Sequence, residues 1–201
     1  MTLSPSQPPF IRNRLTWLAY LMLAYIAVNQ SILGPLMPSL RNEFSLNYTQ
    51  GGLITAALAV GLICSGLTSD WLAHRFNRRT IFWGGGIGLV LSVVMLALSH
   101  RYELLLLAAL GMGFGSSLTQ VMIQALLSDQ HAERRTVALT EANVAASFSA
   151  TLTPFIIGSL PRLGLDWRTI PILPLFLLSM LAAFFYRESI PDSASTKAGS
   201  G

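Results

Sequence analysis

The sequence predicts an all-α integral membrane protein with six transmembrane helices and both termini cytoplasmic. Three observations carry this. Six long apolar runs occupy residues 15–36, 49–69, 80–98, 104–127, 137–160 and 170–186. A helix rises about 1.5 Å per residue, so roughly 20 residues cross a hydrocarbon layer about 30 Å thick, and only a helix satisfies its own backbone there within one segment. Charged residues form 11% of the chain and hydrophobic ones 52%, with mean hydropathy +0.56; soluble proteins carry about 25% charged residues. Finally, the basic residues are sorted. Arg12, Arg14, Arg75, Arg78, Arg79, Arg134, Arg135, Arg187 and Lys197 fall on one side of six crossings, and Arg41, Arg101, Arg162 and Arg168 on the other. The richer side is the cytoplasmic one.

Each span has its own markers. Pro35 and Pro38 are expected to close the first helix. The loop Ser99–Tyr102 between the third and fourth spans is so short that they are expected to be antiparallel neighbours. Pro154 lies inside the fifth span and predicts a kink there. Pro171 and Pro174 open the sixth, where a missing N–H costs least. Trp17, Trp167 and Tyr186 stand at span ends, as interfacial aromatics do. Gly84 and Gly88, and Gly111, Gly113 and Gly115, predict close helix contacts. Residues 1–13 read as a disordered cytoplasmic leader, 14–188 as the transmembrane domain, and 189–201 as a flexible cytoplasmic tail or linker.

Several function classes are excluded. A net charge of +4 would suggest nucleic acid in a soluble protein, but here the arginines sit in short loops and report topology. Cys64 is the single cysteine, so no internal disulfide forms. The first apolar run is too long for a cleavable signal, and no A-x-A-like site follows it. No G-x-S-x-G or H-E-x-x-H motif is present, and His74, His100 and His131 lack metal-ligand spacing. The expectation is a protein that is no enzyme and needs no cofactor or metal.

Polar side chains inside the spans mark an interior face or a wet path. The first span carries Asn29 and Gln30. The fourth carries Ser117, Gln120 and Gln124 on one face, and the fifth carries Asn143, Ser147 and Thr151 at successive turns. The third and sixth are nearly free of such groups. Helices one, four and five are therefore expected to share a polar interior, with three and six nearer lipid. The alternative is that these amides only bridge helices. Glu141, one turn inside the fifth span, is a proton-coupling candidate, or else pairs with Arg134 or Arg135.

The segment Asp70-Trp-Leu-Ala-His-Arg-Phe-Asn-Arg-Arg79 resembles the signature loop of the major facilitator superfamily, G-x-L-A-D-R-x-G-R-R. Leu72, Ala73, Arg75, Arg78 and Arg79 match; Asp70 and Asn77 replace glycines, and His74 replaces the acid. Gly34-Pro-Leu-Met-Pro38, the glycines at 111, 113 and 115, and Pro154 with Gly158 are similar to further elements of that family. The resemblance implies two inverted three-helix repeats, and an alternating-access secondary transporter in the inner or plasma membrane. It implies a cytoplasmic gate loop of Asp70, His74, Arg75, Arg78 and Arg79. Proton-coupled members often carry a fourth-helix arginine, but Leu107 stands near that place. Asn29, Gln30, Gln120, Gln124 and Asn143 are the expected solute-binding residues; amides both donate and accept, which suits a small polar or neutral organic solute. The expected partners are membrane lipids, the solute, and a second six-helix half, either a carboxy-terminal half or a second copy. A non-transporting membrane assembly module is the alternative.

Overall fold

The structure, a computed structural model, describes residues 10–188 and 190. Residues 1–9 of the leader expected over 1–13, and residues 189 and 191–201 of the tail expected over 189–201, lie outside them. Six helices follow in order: α1 Arg14–Phe44, α2 Tyr48–Arg75, α3 Arg78–Leu98, α4 Tyr102–Gln130, α5 Arg135–Ser159 and α6 Ile172–Phe185. Short 3₁₀ turns span Ala132–Arg134, Leu160–Leu163 and Trp167–Thr169. No strand occurs among the described residues. All six helical segments, the last extended back to Trp167, are long and apolar enough to cross a membrane.

The helix starts follow capping chemistry. The Asn13 side chain accepts from the Thr16 amide and opens α1. Asn47 and Gln50 form a reciprocal capping box at α2. Contrary to expectation, α1 runs through Pro35 and Pro38 to Phe44, and Ser45 closes it in a left-handed conformation (φ 52°). Gly34 precedes Pro35 and has no Cβ to clash with its ring. Leu36 and Leu40 are buried in the core and hold the helix on course.

The helix pairings interlock. The most extensive contacts are α2 with α4, α1 with α5, and α3 with α4. Exchanging α1 with α4 and α2 with α5 maps the α1–α5 packing onto the α4–α2 packing. That is the relation expected of two three-helix repeats, α1–α3 and α4–α6, embracing each other.

Glycines set the closest approaches. Residues two apart on a helix point about 200° apart, so Gly113 faces one neighbour while Gly111 and Gly115 face another. A Cβ on Gly113 would lie 2.0 Å from the Leu58 carbonyl oxygen on α2, and one on Gly61 would lie 2.1 Å from the Leu110 oxygen. On the other side, a Cβ on Gly111 would meet Ser92 Oγ and one on Gly115 the Gly85 carbonyl, both on α3. Gly84 and Gly88, also expected at a contact, instead face open space. Helix α3 is more enclosed than expected: Gly84, Ile87, Leu91 and Leu98 form its exposed apolar stripe, and most of its remaining surface is covered.

Candidate functional site

At the end of the bundle rich in loop arginines, the signature segment divides into two parts. Asp70, Trp71, His74 and Arg75 are exposed at the end of α2. The His74 ring lies 3.7 Å from the Asp70 carboxylate, and the Arg75 guanidinium sits 5.7 Å from the Trp71 ring centre. Pairs this exposed contribute little to stability. Arg78 and Arg79 turn inward instead. Arg78 is 15% exposed and binds Asp129 at the end of α4 at 2.6 Å. Arg79 donates to the Tyr186 carbonyl and lies over its ring. These two arginines thus tie α3 to α4 and to the end of α6, while the first four side chains point away from the bundle.

The chain before α1 is held on the same end. Residues 10–13, placed in the leader by the sequence, make specific contacts. Arg12 binds both Glu141 oxygens, at 2.9 and 2.6 Å, and the Tyr20 hydroxyl donates to the same carboxylate at 3.0 Å. Glu141 is therefore engaged by Arg12 and Tyr20, and not by Arg134 or Arg135. A bidentate guanidinium–carboxylate pair is the strong form of this interaction, and the further Tyr20 contact on the same carboxylate fixes α5 to α1. Arg14 adds an ion pair with Glu188 at 3.1 Å. Ile190, also assigned to the tail, is buried with the core.

His131 completes this cluster. The Asn13 side-chain oxygen accepts from both the Thr16 amide and the Thr16 hydroxyl, each at 2.8 Å. With its proton committed, Thr16 Oγ1 is left as an acceptor for His131 Nε2, also at 2.8 Å. The imidazole thus carries its proton on Nε2, and its ring packs 4.7 Å from that of Phe10. Burial pushes the His131 pKa down, and the negative charge of Glu141 opposes that only in part. With the folded value below the unfolded one, the unfolded chain takes up the proton first on acidification. Folding stability should therefore fall as pH drops below about 6.5 and level off beneath the folded value. His131→Gln should remove that component of a pH-dependent thermal unfolding series; an unchanged pH slope would show that the ring does not contribute.

Between the two ends, the amides separate. Gln30 and Gln120 are half-buried, Gln124 is exposed, and Ser117 is half-buried on the same side of α4. Asn143, Ser147 and Thr151 are all exposed, and Thr136 and Thr140 extend their stripe. Helices α1, α4 and α5 touch one another, and each leaves polar groups uncovered. Asn29 does not join them. It is fully buried, with its Nδ2 donating to the Tyr25 carbonyl at 2.8 Å, while the Tyr25 hydroxyl donates to Gly86 on α3. One residue's step of about 100° along the helix carries it inside, away from Gln30. Its Oδ1 has no partner within the described residues.

The opposite end holds a node the sequence did not reveal. Arg168 donates to the Glu43 carboxylate and to the Ala97 and Ser99 carbonyls. The Trp167 indole donates to the other Glu43 oxygen at 2.7 Å. The ends of α1 and α3 and the approach to α6 meet here. Arg168 and Glu43 lie 125 positions apart, and no local pattern links them.

Comparison with known proteins agrees with this architecture. The profile of the Major Facilitator Superfamily matches residues 19–201. The uncharacterized MFS-type transporter YceJ of Bacillus subtilis (strain 168) is 23% identical over 113 residues, a match covering 56% of this chain and 29% of that protein. The chain thus aligns with less than a third of that relative's length. A profile match over nearly the whole chain, joined to six apolar helices in two interlocked triplets, establishes that this multi-pass membrane protein belongs to the Major Facilitator Superfamily.

Proposed function

We propose that the chain is one six-helix half of a secondary carrier that moves a small polar or neutral organic solute by alternating access. The observation that carries this is the exposed polar stripe on α5 beside the partly uncovered polar groups Gln30 on α1 and Ser117, Gln120 and Gln124 on α4. Polar groups at membrane depth are costly unless they meet water, solute or another protein surface. Gln30, Gln120, Gln124 and Asn143 are the proposed solute contacts. Asn29, sealed inside the bundle, instead braces α1 near Tyr25.

The pattern of burial supports a second half. Within the bundle the apolar stretch of α1 is mostly buried, whereas those of α2, α5 and α6 are mostly uncovered. The bare faces of α2 and α5 suit a partner bundle, whether a carboxy-terminal half or a second copy. Asp70, His74 and Arg75, which make no strong contact within the bundle, are placed to meet that partner as a cytoplasmic gate. Arg78 and Arg79 serve it by fixing the loop. The termini are cytoplasmic in this reading, in the inner or plasma membrane. Glu141 stays a candidate for proton coupling only if its bond to Arg12 opens during the cycle.

The test is accessibility joined to flux. With Cys64 replaced by serine, single cysteines at Gln120, Gln124 and Asn143 should react with a charged, membrane-impermeant thiol reagent. Cysteines at Ile87 and Leu91 should not. Gln120→Ala should lower solute uptake by the assembled carrier about tenfold or more without lowering membrane insertion, as expected when an oriented polar contact is lost. Unreactive positions with unchanged uptake would favour the non-transporting assembly module.

A further inference from the structure

An apolar crevice of about 300 Å³ opens between α1, the end of α5 and the start of α6. Its walls include Ile32, Ile156, Ile157, Leu173 and Phe176, with Thr169 at one margin. The Thr169 hydroxyl is turned to the Asp166 carbonyl, so it presents no strong donor to a guest. The crevice arises because the chain leaves α5 at Ser159 and makes two 3₁₀ turns, around the left-handed Gly164, before α6 begins. It lies clear of Gln120, Gln124 and Asn143, none of which lines it.

Its position has a charge signature. Arg162, in the turn Leu160–Leu163 beside the crevice, is exposed and makes no ion pair among the described residues. Arg168, the neighbouring cation, is committed to Glu43 and two carbonyls. Trp167 between them places this end at the depth where indoles meet headgroups. A greasy slot at the membrane boundary, with an uncommitted arginine two residues along the turn from its wall residue Leu160, matches an amphiphile with an apolar tail and an anionic head.

We propose that this crevice holds an acyl chain of an anionic glycerophospholipid, with the lipid phosphate or its charged headgroup at Arg162. The guanidinium offers paired N–H donors to phosphate oxygens, and the burial of methylenes between Ile156, Leu173 and Phe176 supplies the rest. A zwitterionic lipid fits the slot equally well but lacks the net charge that Arg162 rewards.

The full chain, in nanodiscs containing equal phosphatidylglycerol and phosphatidylcholine, is photolabelled with diazirine-tailed analogues of each lipid. Phosphatidylglycerol adducts should concentrate in peptides covering residues 156–176 and exceed phosphatidylcholine adducts there about fivefold, the scale of one cation at a membrane surface. Arg162→Gln should abolish that preference while tail labelling persists. Ile156→Trp, at an exposed wall residue, should remove labelling of the slot for both lipids. Both variants should retain the parent's thermal unfolding midpoint, so that loss of labelling is not loss of fold. Equal labelling by the two lipids, a preference unaffected by Arg162→Gln, or adducts spread evenly over α2 and α3 would each overturn the proposal.

Discussion

Gly113→Ala should unfold or severely loosen the bundle, although it adds one methyl group. The new Cβ would stand 2.0 Å from the Leu58 carbonyl oxygen and 3.0 Å from the Leu62 nitrogen. Both are backbone atoms of α2 and cannot rotate away. Relief requires α2 and α4 to part along their length, and this is one of the most extensive contacts in the molecule. Association in lipid draws on close packing, because lipid tails are as apolar as the side chains. Overpacking of a tight interface costs about 1–3 kcal/mol, and a backbone clash belongs at the upper end. Gly84→Ala is the matched control, since nothing lies within 4 Å of its added Cβ. It should change stability by less than about 1 kcal/mol. Unfolding in mixed detergent micelles compares the two. Equal midpoints would refute the glycine-mediated contact.

Arg168→Gln should produce the second large loss. It strips one Glu43 oxygen and the Ala97 and Ser99 carbonyls of their donor. The Trp167 indole keeps hold of the other oxygen, so the carboxylate is not fully stranded. Glu43 and Arg168 are both partly exposed, and water limits the penalty. A loss of about 2 kcal/mol is expected from three orphaned acceptors. Arg168→Lys should recover only part of it, because an ammonium lacks the planar fork that reaches three sites at once. Arg101→Gln, at an exposed position on the same end, should leave the unfolding midpoint in place. If Arg168→Gln behaves like Arg101→Gln, the node does not hold these helices together.

The sequence made the spans legible because the bilayer imposes a length and an oiliness that local composition reports directly. Loop length likewise revealed α3 and α4 as neighbours, and alternate glycines revealed crowding around α4. What escaped was partnership across distance. Arg12 and Glu141 lie 129 positions apart, so Glu141 was matched with the arginines nearest in sequence. Pro35 and Pro38 read as a stop because local preference ignores the packing that carries α1 onward. Among the amides, neighbours on a helix differ by about 100° in direction, and only the packed bundle shows that Gln30 faces out while Asn29 faces in. Gly84 and Gly88 show the same limit from the other side: the spacing was right for a contact, but no helix lies against them.

The exchange of partners between triplets has a consequence for biogenesis. As the nascent polypeptide threads from the ribosome into the bilayer, α1 and α2 arrive before either of their principal mates, α5 and α4, has been translated. The first three segments must therefore wait in lipid as loosely associated rods, in the keeping of the insertion machinery. Arg12 likewise stays unpaired until Glu141 is made, so consolidation belongs to the late stage of synthesis, when α4 and α5 slot between helices already laid down.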